Sequence, residues 1–140
     1  MEKKIIIRAP KGFNVRYHVN TYNKEIESVY CELYDVNKNS GRDVGRVVLE
    51  RGIGKVFETH SSLANDYHGK GLGTLLYAKA IAWTLNHGFK VKSSGDSSDM
   101  AKRVWESKGL RKHFNIRKIK KTYSYSTYTS ETWYANKKNK

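Results

Sequence analysis

Between Phe13 and Val19 the chain alternates: Phe13, Val15, Tyr17 and Val19 are separated by Asn14, Arg16 and His18. A period of two puts the two sets on opposite faces of a pleated strand, so a half-buried strand is predicted here. Ser28–Val36 repeats the pattern, with Val29, Cys31 and Leu33 on one face, and leaves through Asn37-Lys38-Asn39-Ser40-Gly41, a run of turn formers. Val44–Arg51 reads as a third strand and Val56–Leu63 as a fourth, joined by Arg51-Gly52-Ile53-Gly54. Short connections between four successive strands predict an antiparallel meander.

The period then changes. Leu72, Leu75, Leu76, Ala78, Ala80, Ile81, Ala82, Trp83 and Leu85 predict a helix over Leu72–Leu85, apolar around most of its circumference and therefore mostly buried. Asn86-His87-Gly88 ends it, with Gly88 suited to the left-handed position beyond a helix C-terminus. Phe89–Ser93 reads as a short strand. Ser98–Lys108 reads as a second helix, with Met100, Ala101, Val104 and Trp105 on one side and Gly109 as its stop. Trp105 is expected in the core against Leu72–Leu85. Strands near Phe114–Lys120 and Tyr128–Ala135 follow, joined by a Ser/Thr/Tyr-rich connection. The sum is an α+β fold with a mixed, mostly antiparallel twisted sheet, a central buried helix after the fourth strand and a second helix near residues 98–108. One domain over residues 1–136 and a basic tail over 137–140 are expected, since 140 residues suit one compact unit.

With 38% hydrophobic and 12% aromatic residues the chain can bury a core, which excludes wholesale disorder. No apolar run exceeds four residues, and the N-terminal one is only Ile5–Ile7, so neither a spanning helix nor a signal peptide is expected. Cys31 stands alone, which excludes an internal disulfide and fits a reducing cytoplasm. His18, His60, His68, His87 and His113 show no metal-ligand spacing, and no structural metal is expected. The formal charge of +14 is uneven: residues 101–140 hold 12 basic and 2 acidic side chains, against 15 and 11 in residues 1–100. Such a gradient points to an anionic partner at the C-terminal end.

The most informative segment for chemistry joins the fourth strand to the buried helix: Leu63-Ala64-Asn65-Asp66-Tyr67-His68-Gly69-Lys70-Gly71-Leu72-Gly73-Thr74. Glycine at every second position lets backbone approach a ligand closely, and a helix N-terminus offers unpaired N–H groups and a positive dipole end. Together with the Lys70 cation they favour phosphate. The spacing matches neither GxxxxGK[ST] nor GxGxxG, because the first Gly of the former falls in Ala64-Asn65 and the third of the latter on Thr74. Read alone, the glycines equally fit a tightened strand-to-helix turn.

In its setting, the segment resembles the acetyl-CoA motif (Q/R)xxGx(G/A) of the GNAT N-acetyltransferase superfamily, with His68 at the Gln/Arg position and Gly71 and Gly73 as the glycines. The superfamily's later NxxAxxxYxxxGF signature is echoed by Ser98, Ala101, Trp105, Gly109 and Leu110. Both segments occur in the superfamily's order and together span residues 56–110. Three departures stand out: Ser98 replaces the usual Asn, Trp105 replaces the Tyr that protonates the leaving thiolate, and residues 9–30 show no pair of amphipathic helices to wall the acceptor site.

The resemblance implies acetyl transfer from acetyl-CoA to an amine by direct attack in a ternary complex. It implies that the pyrophosphate sits on the amides of Gly69–Thr74, beside His68 and Lys70. It further implies that the splayed fourth strand pairs with the pantetheine, that the backbone N–H near Leu63 polarises the thioester carbonyl, and that Ser98 reaches the cofactor arm. A lysine-like amine, with a pKa of about 10.4, needs a base. Glu58, His60 and Asp66 are the candidates near the fourth strand; Glu58 and His60 share a face, as solvent-facing polar residues of a half-buried strand also would. A thiol of pKa about 8.5 leaves tolerably as thiolate, so an acid is useful rather than essential. Tyr123, Tyr125 and Ser98 are possible donors that the sequence does not separate.

Lys102, Arg103, Lys108, Arg111, Lys112, Arg117, Lys118, Lys120 and Lys121 crowd residues 102–121, followed by Tyr123, Tyr125, Tyr128, Trp133 and Tyr134. Part of this charge suits the phosphates of CoA, and more is present than those need. Two readings are left open: an acetyltransferase whose acceptor is acidic or carried on a nucleic acid, and a GNAT-like protein without catalysis that binds nucleic acid or an acidic protein.

Overall fold

The computed structural model describes residues 4–37, 44–63, 71–94, 98–122 and 129–138. Seven strands form one sheet: β1 (Phe13–Tyr22), β2 (Glu25–Asp35), β3 (Gly45–Arg51), β4 (Val56–Leu63), β5 (Lys90–Ser93), β6 (Phe114–Thr122) and β7 (Thr129–Lys137), in spatial order β1-β2-β3-β4-β5-β7-β6. The first four make the expected meander, antiparallel throughout. Only β4 and β5 run parallel, because the helix α1 (Leu72–Asn86) carries the chain across between them. α2 (Asp99–Trp105) and α3 (Lys108–Arg111) follow β5.

Alternation decides which side chains the helices cover. Val29, Cys31 and Leu33 of β2, Val47 and Leu49 of β3, and Phe57 and Thr59 of β4 are buried, as are Leu72, Leu76, Tyr77, Ile81 and Leu85 of α1. Burial pushes the Cys31 thiol up to about 12, so it is an inert core group. The intervening strand residues form a second face that is polar and aromatic: Arg16 lies 4.9 Å from the Tyr34 ring, Arg46 5.9 Å from Tyr30, and Glu32 is 3.1 Å from His18.

α1 ends as the sequence predicts. Gly88 has φ +83°, its N–H bonds Leu85 O at 3.0 Å, and the N–H of Phe89 bonds Thr84 O at 3.1 Å. The two bonds satisfy carbonyls that the last turn would leave open, and the Phe89 ring then packs on Phe57 with centroids 4.9 Å apart. Near the same end, Asn86 bonds both backbone groups of Ile5 at 2.9 Å, pinning the N-terminal segment to the helix.

Two expectations need correction. The helix expected over Ser98–Lys108 is two short helices, because Ser107 starts a new one by accepting the Leu110 N–H at 3.2 Å while donating to Val104 O at 2.6 Å. Gly109 is therefore inside α3 and stops nothing. Its lack of a side chain serves packing: a Cβ there would lie 2.8 Å from Thr74 Cγ2 of α1. β7 also continues through Lys137, which pairs with Phe114, so the sheet takes in the first residue of the expected tail. Trp105 is in the core, fully buried and edge-on to Tyr77 at 6.1 Å. Among the described residues no helix is long and apolar enough to cross a membrane.

Candidate functional site

β4 pairs with β5 only from Val56↔Lys90 to Thr59↔Ser93. β5 ends there, whereas β4 runs on through His60 to Leu63, held on its other side by Val48, Val47, Arg46 and Gly45 of β3. The β5-facing edge of residues 60–63 thus has no strand partner among the described residues. Two adjoining cavities open at this divergence. One, of about 180 Å³, is lined by Thr59, His60, Ser61, Tyr77, Ser94, Ser98 and Ala101. The other, of about 20 Å³, extends it along Ser61, Gly73, Leu76, Tyr77 and Met100. The larger is below the about 300–1,000 Å³ of pockets that enclose a drug-sized ligand, so it suits the reactive end of a longer molecule.

Of the cofactor-binding residues expected from the sequence, Gly71, Leu72, Gly73 and Thr74 form the start of α1. Gly71 is its N-cap, left-handed at φ +73°, and a Cβ there would meet no described atom within 4 Å. Without a side chain it cannot cap the helix, and no described side chain caps the first turn, whose N–H groups suit an anionic ligand. Leu72 is buried and Gly73 lines the smaller cavity. Leu63 ends β4, opposite Gly45. Ser98 lines the larger cavity, and its hydroxyl caps α2 by accepting the Ala101 N–H at 3.2 Å. His68, Gly69 and Lys70 lie outside the described residues, as do Asp66, Tyr123 and Tyr125.

Glu58 and His60 do share a face, the one turned away from buried Phe57 and Thr59. His60 lines the cleft and is 46% exposed, with Nε2 3.9 Å from Glu50 Oε2. Glu58 sits opposite Glu50 on β3 and is not among the cleft residues. Trp105, at the superfamily's tyrosine position, does not line the cleft either; its indole Nε1 is buried with no described partner.

The residue that sequence reasoning passed over is Tyr77. It lies in an apolar helix and reads there as core, but its hydroxyl donates to Ser61 Oγ at 2.6 Å, bridging α1 to the unpaired end of β4. Burial raises its pKa, opposed in part by the hydroxyls of Ser61 and Thr59, so it stays protonated through the neutral range. The one available signal was chemical: a phenol in a buried helix needs a partner for its O–H.

No family model matches the sequence, and no curated protein matches it. Solved structures do. A spermidine N-acetyltransferase from Vibrio cholerae is 13% identical with a TM-score of 0.59, over 89% of this chain and 94% of that one. A ribosomal-protein-S5-alanine acetyltransferase from Vibrio fischeri is 17% identical with a TM-score of 0.53, over 79% of this chain. The match spans 61% of the length of that enzyme. A GNAT-family acetyltransferase from Streptococcus pneumoniae is 13% identical with a TM-score of 0.51, over 79% and 67%. Identities this low speak to architecture alone, and that architecture, a meander parting from a parallel fifth strand beside a buried helix, is the fold of the GNAT acetyltransferases.

Proposed function

We propose that this chain is an N-acetyltransferase that uses acetyl-CoA as donor and an amine as acceptor. The observation that carries the reading is the parting of β4 from β5 at Thr59 and Ser93, next to a helix start kept open by Gly71. Acetyl-CoA supplies an activated thioester. The α1 N-terminus, with Gly69–Thr74 and Lys70, holds the diphosphate; the unpaired edge of β4 up to Leu63 aligns the extended arm; and the cleft takes the acetyl end. Holding both reactants in one geometry supplies several kcal/mol of the barrier.

His60 is the better-placed base, since it borders the cleft. Glu58, one residue back on the same face, has the weaker claim. In place of the superfamily tyrosine, Ser61 donates a hydrogen bond to the charge developing on sulfur. Tyr77 positions and polarises Ser61 by donating to its oxygen. The acceptor carries an anionic or neutral scaffold: among the described residues no Asp or Glu lines the cleft, and a free polyamine would be repelled by a net charge of +14. The single buried thiol suits a reducing compartment such as the cytoplasm.

Calorimetry with acetyl-CoA and with desulfo-CoA tests the reading. Micromolar binding of both supports it. Absence of binding leaves a GNAT-like fold without donor chemistry, the reading that buried Trp105 otherwise favours.

A further inference from the structure

The β6–β7 hairpin leaves the body of the protein as a two-stranded ribbon. The last contacts of β7 with β5 are Lys92↔Tyr134 and the Trp133 N–H to Ser93 Oγ at 2.9 Å; from Thr132 back to Thr129, β7 pairs only with β6 among the described residues. β6 is an edge strand of nine residues, about 30 Å long at about 3.3 Å per residue. All its residues except Phe114 and Ile116 are exposed. Its cations fall on both faces: Arg117 packs over Tyr134 on the open face of the sheet, while Lys118 lies over Trp133 and pairs with Glu131 on the helix side. Arg111 and Lys112, exposed at the end of α3, extend the row from its base, and Lys120 and Lys121 carry it outward.

We infer that this ribbon, with the end of α3, is a nucleic-acid-binding surface that engages the phosphodiester backbone. An extended strand advances about 3.3 Å per residue, so the cations along β6 present a row of positive charge to the closely spaced phosphates of a duplex. A two-stranded β-ribbon is also an element that a DNA major groove admits. An acidic protein is the poorer fit. Protein interfaces centre on apolar and aromatic anchors with lysine depleted, whereas this surface is lysine-rich, and among its described residues Ile119, 43% exposed, is the only exposed large hydrophobic. Guarding an edge against strand pairing needs a charge or two on the edge itself, which leaves Arg111 and Lys112 unexplained. His113 reports the density of charge: besides burial, Lys112 and Lys138 hold its pKa below the ordinary value.

The test is fluorescence anisotropy on the full chain with a labelled DNA duplex and an RNA duplex of about 20 bp, and with poly-glutamate, from about 50 to 200 mM salt. Two triple variants are compared: Arg111→Ala/Lys112→Ala/Lys120→Ala, and Lys11→Ala/Lys24→Ala/Lys55→Ala, which removes equal charge from exposed positions elsewhere. The expected result is binding that weakens steeply with salt. The first variant should lose about tenfold or more in affinity and about 2.7 from the log–log salt slope, at about 0.9 per phosphate contact, while the second changes little. Tighter binding of DNA or of RNA identifies which duplex is used. Equal losses in the two variants, no binding at low salt, or capture of poly-glutamate alone would each overturn the inference. Thermal melts of both variants check that the fold persists.

Discussion

The cleft at the start of α1 and the β6–β7 ribbon meet at one residue and are built from opposite materials. Ser93 is the last partner of β4 on the cleft side, and its Oγ receives the Trp133 N–H where the ribbon departs. On one side, Thr59, Ser61, Tyr77, Ser94 and Ser98 present hydroxyls, and the described lining includes no Lys, Arg, Asp or Glu. On the other, exposed cations follow one another along β6. Groups that act on a reacting atom must be few and held still, as Ser61 is by the bond from Tyr77. A surface that gathers a polyanion works through many exposed charges, each weak and screened by salt.

The sharpest way to break the two apart is Gly71→Glu. It puts bulk and negative charge into the open space at the helix start, and acetyl-CoA affinity should fall by at least about a thousandfold in calorimetry. Nucleic-acid binding should change by less than about threefold, since Gly71 supplies none of the cations of the ribbon and one added negative charge lowers a net charge of +14 only slightly. Gly71→Ala controls for the strain of a side chain at φ +73°, costing about 1 kcal/mol of stability while keeping most of the affinity. Parallel loss of both ligands in Gly71→Glu would mean that the cleft and the ribbon form one site.

Within the cleft, Tyr77→Phe removes one hydroxyl and preserves the ring. We expect kcat to fall about tenfold, worth about 1.4 kcal/mol, with KM for acetyl-CoA nearly unchanged. Ser61→Ala should fall at least as far, and the double variant no further, because the two act in series. An additive double variant would show that Tyr77 acts apart from Ser61. Trp105→Phe sharpens the same point from the other side. The indole is in the core, so the change should cost about 1–3 kcal/mol in denaturant unfolding and leave kcat within about twofold. A tenfold loss of kcat with stability intact would show that Trp105 takes part in the cleft and is not core alone.

Much of this was legible in the sequence, and the boundary is physical. Alternation in residues 13–63 and the apolar run from Leu72 reported which faces would be buried, and Gly88 reported a backbone conformation few other residues adopt. The break between α2 and α3 was hidden because Glu106-Ser107-Lys108 reads equally as the polar last turn of one helix, and only the bonds of Ser107 to Val104 and Leu110 reveal a second start. Gly109 looked like a stop because sequence does not show that Thr74 lies against it. Tyr77 was obscured by its own hydrophobicity: its role depends on Ser61, sixteen residues away on another element. Projection of the ribbon beyond β5 follows from strand lengths in three dimensions, which the clustering of lysines alone does not give.

The smallest expected effect concerns the charge on the ribbon side. His113 is partly exposed, and burial, Lys112 and Lys138 together lower its pKa from 6.5. Because the folded state binds this proton less readily than the unfolded chain, the fold is favoured above the ordinary histidine range. It loses that contribution as pH falls through 6.5 toward the lower folded value. Lys112→Ala removes one repelling charge, so the imidazole should titrate higher by NMR, with burial keeping it short of the unperturbed value. A bound duplex should move it the same way and further, since phosphates replace repulsion with attraction. Were the His113 titration unchanged by saturating duplex while the cleft histidine, His60, shifted, the polyanion would be seated on the cleft and not on the ribbon.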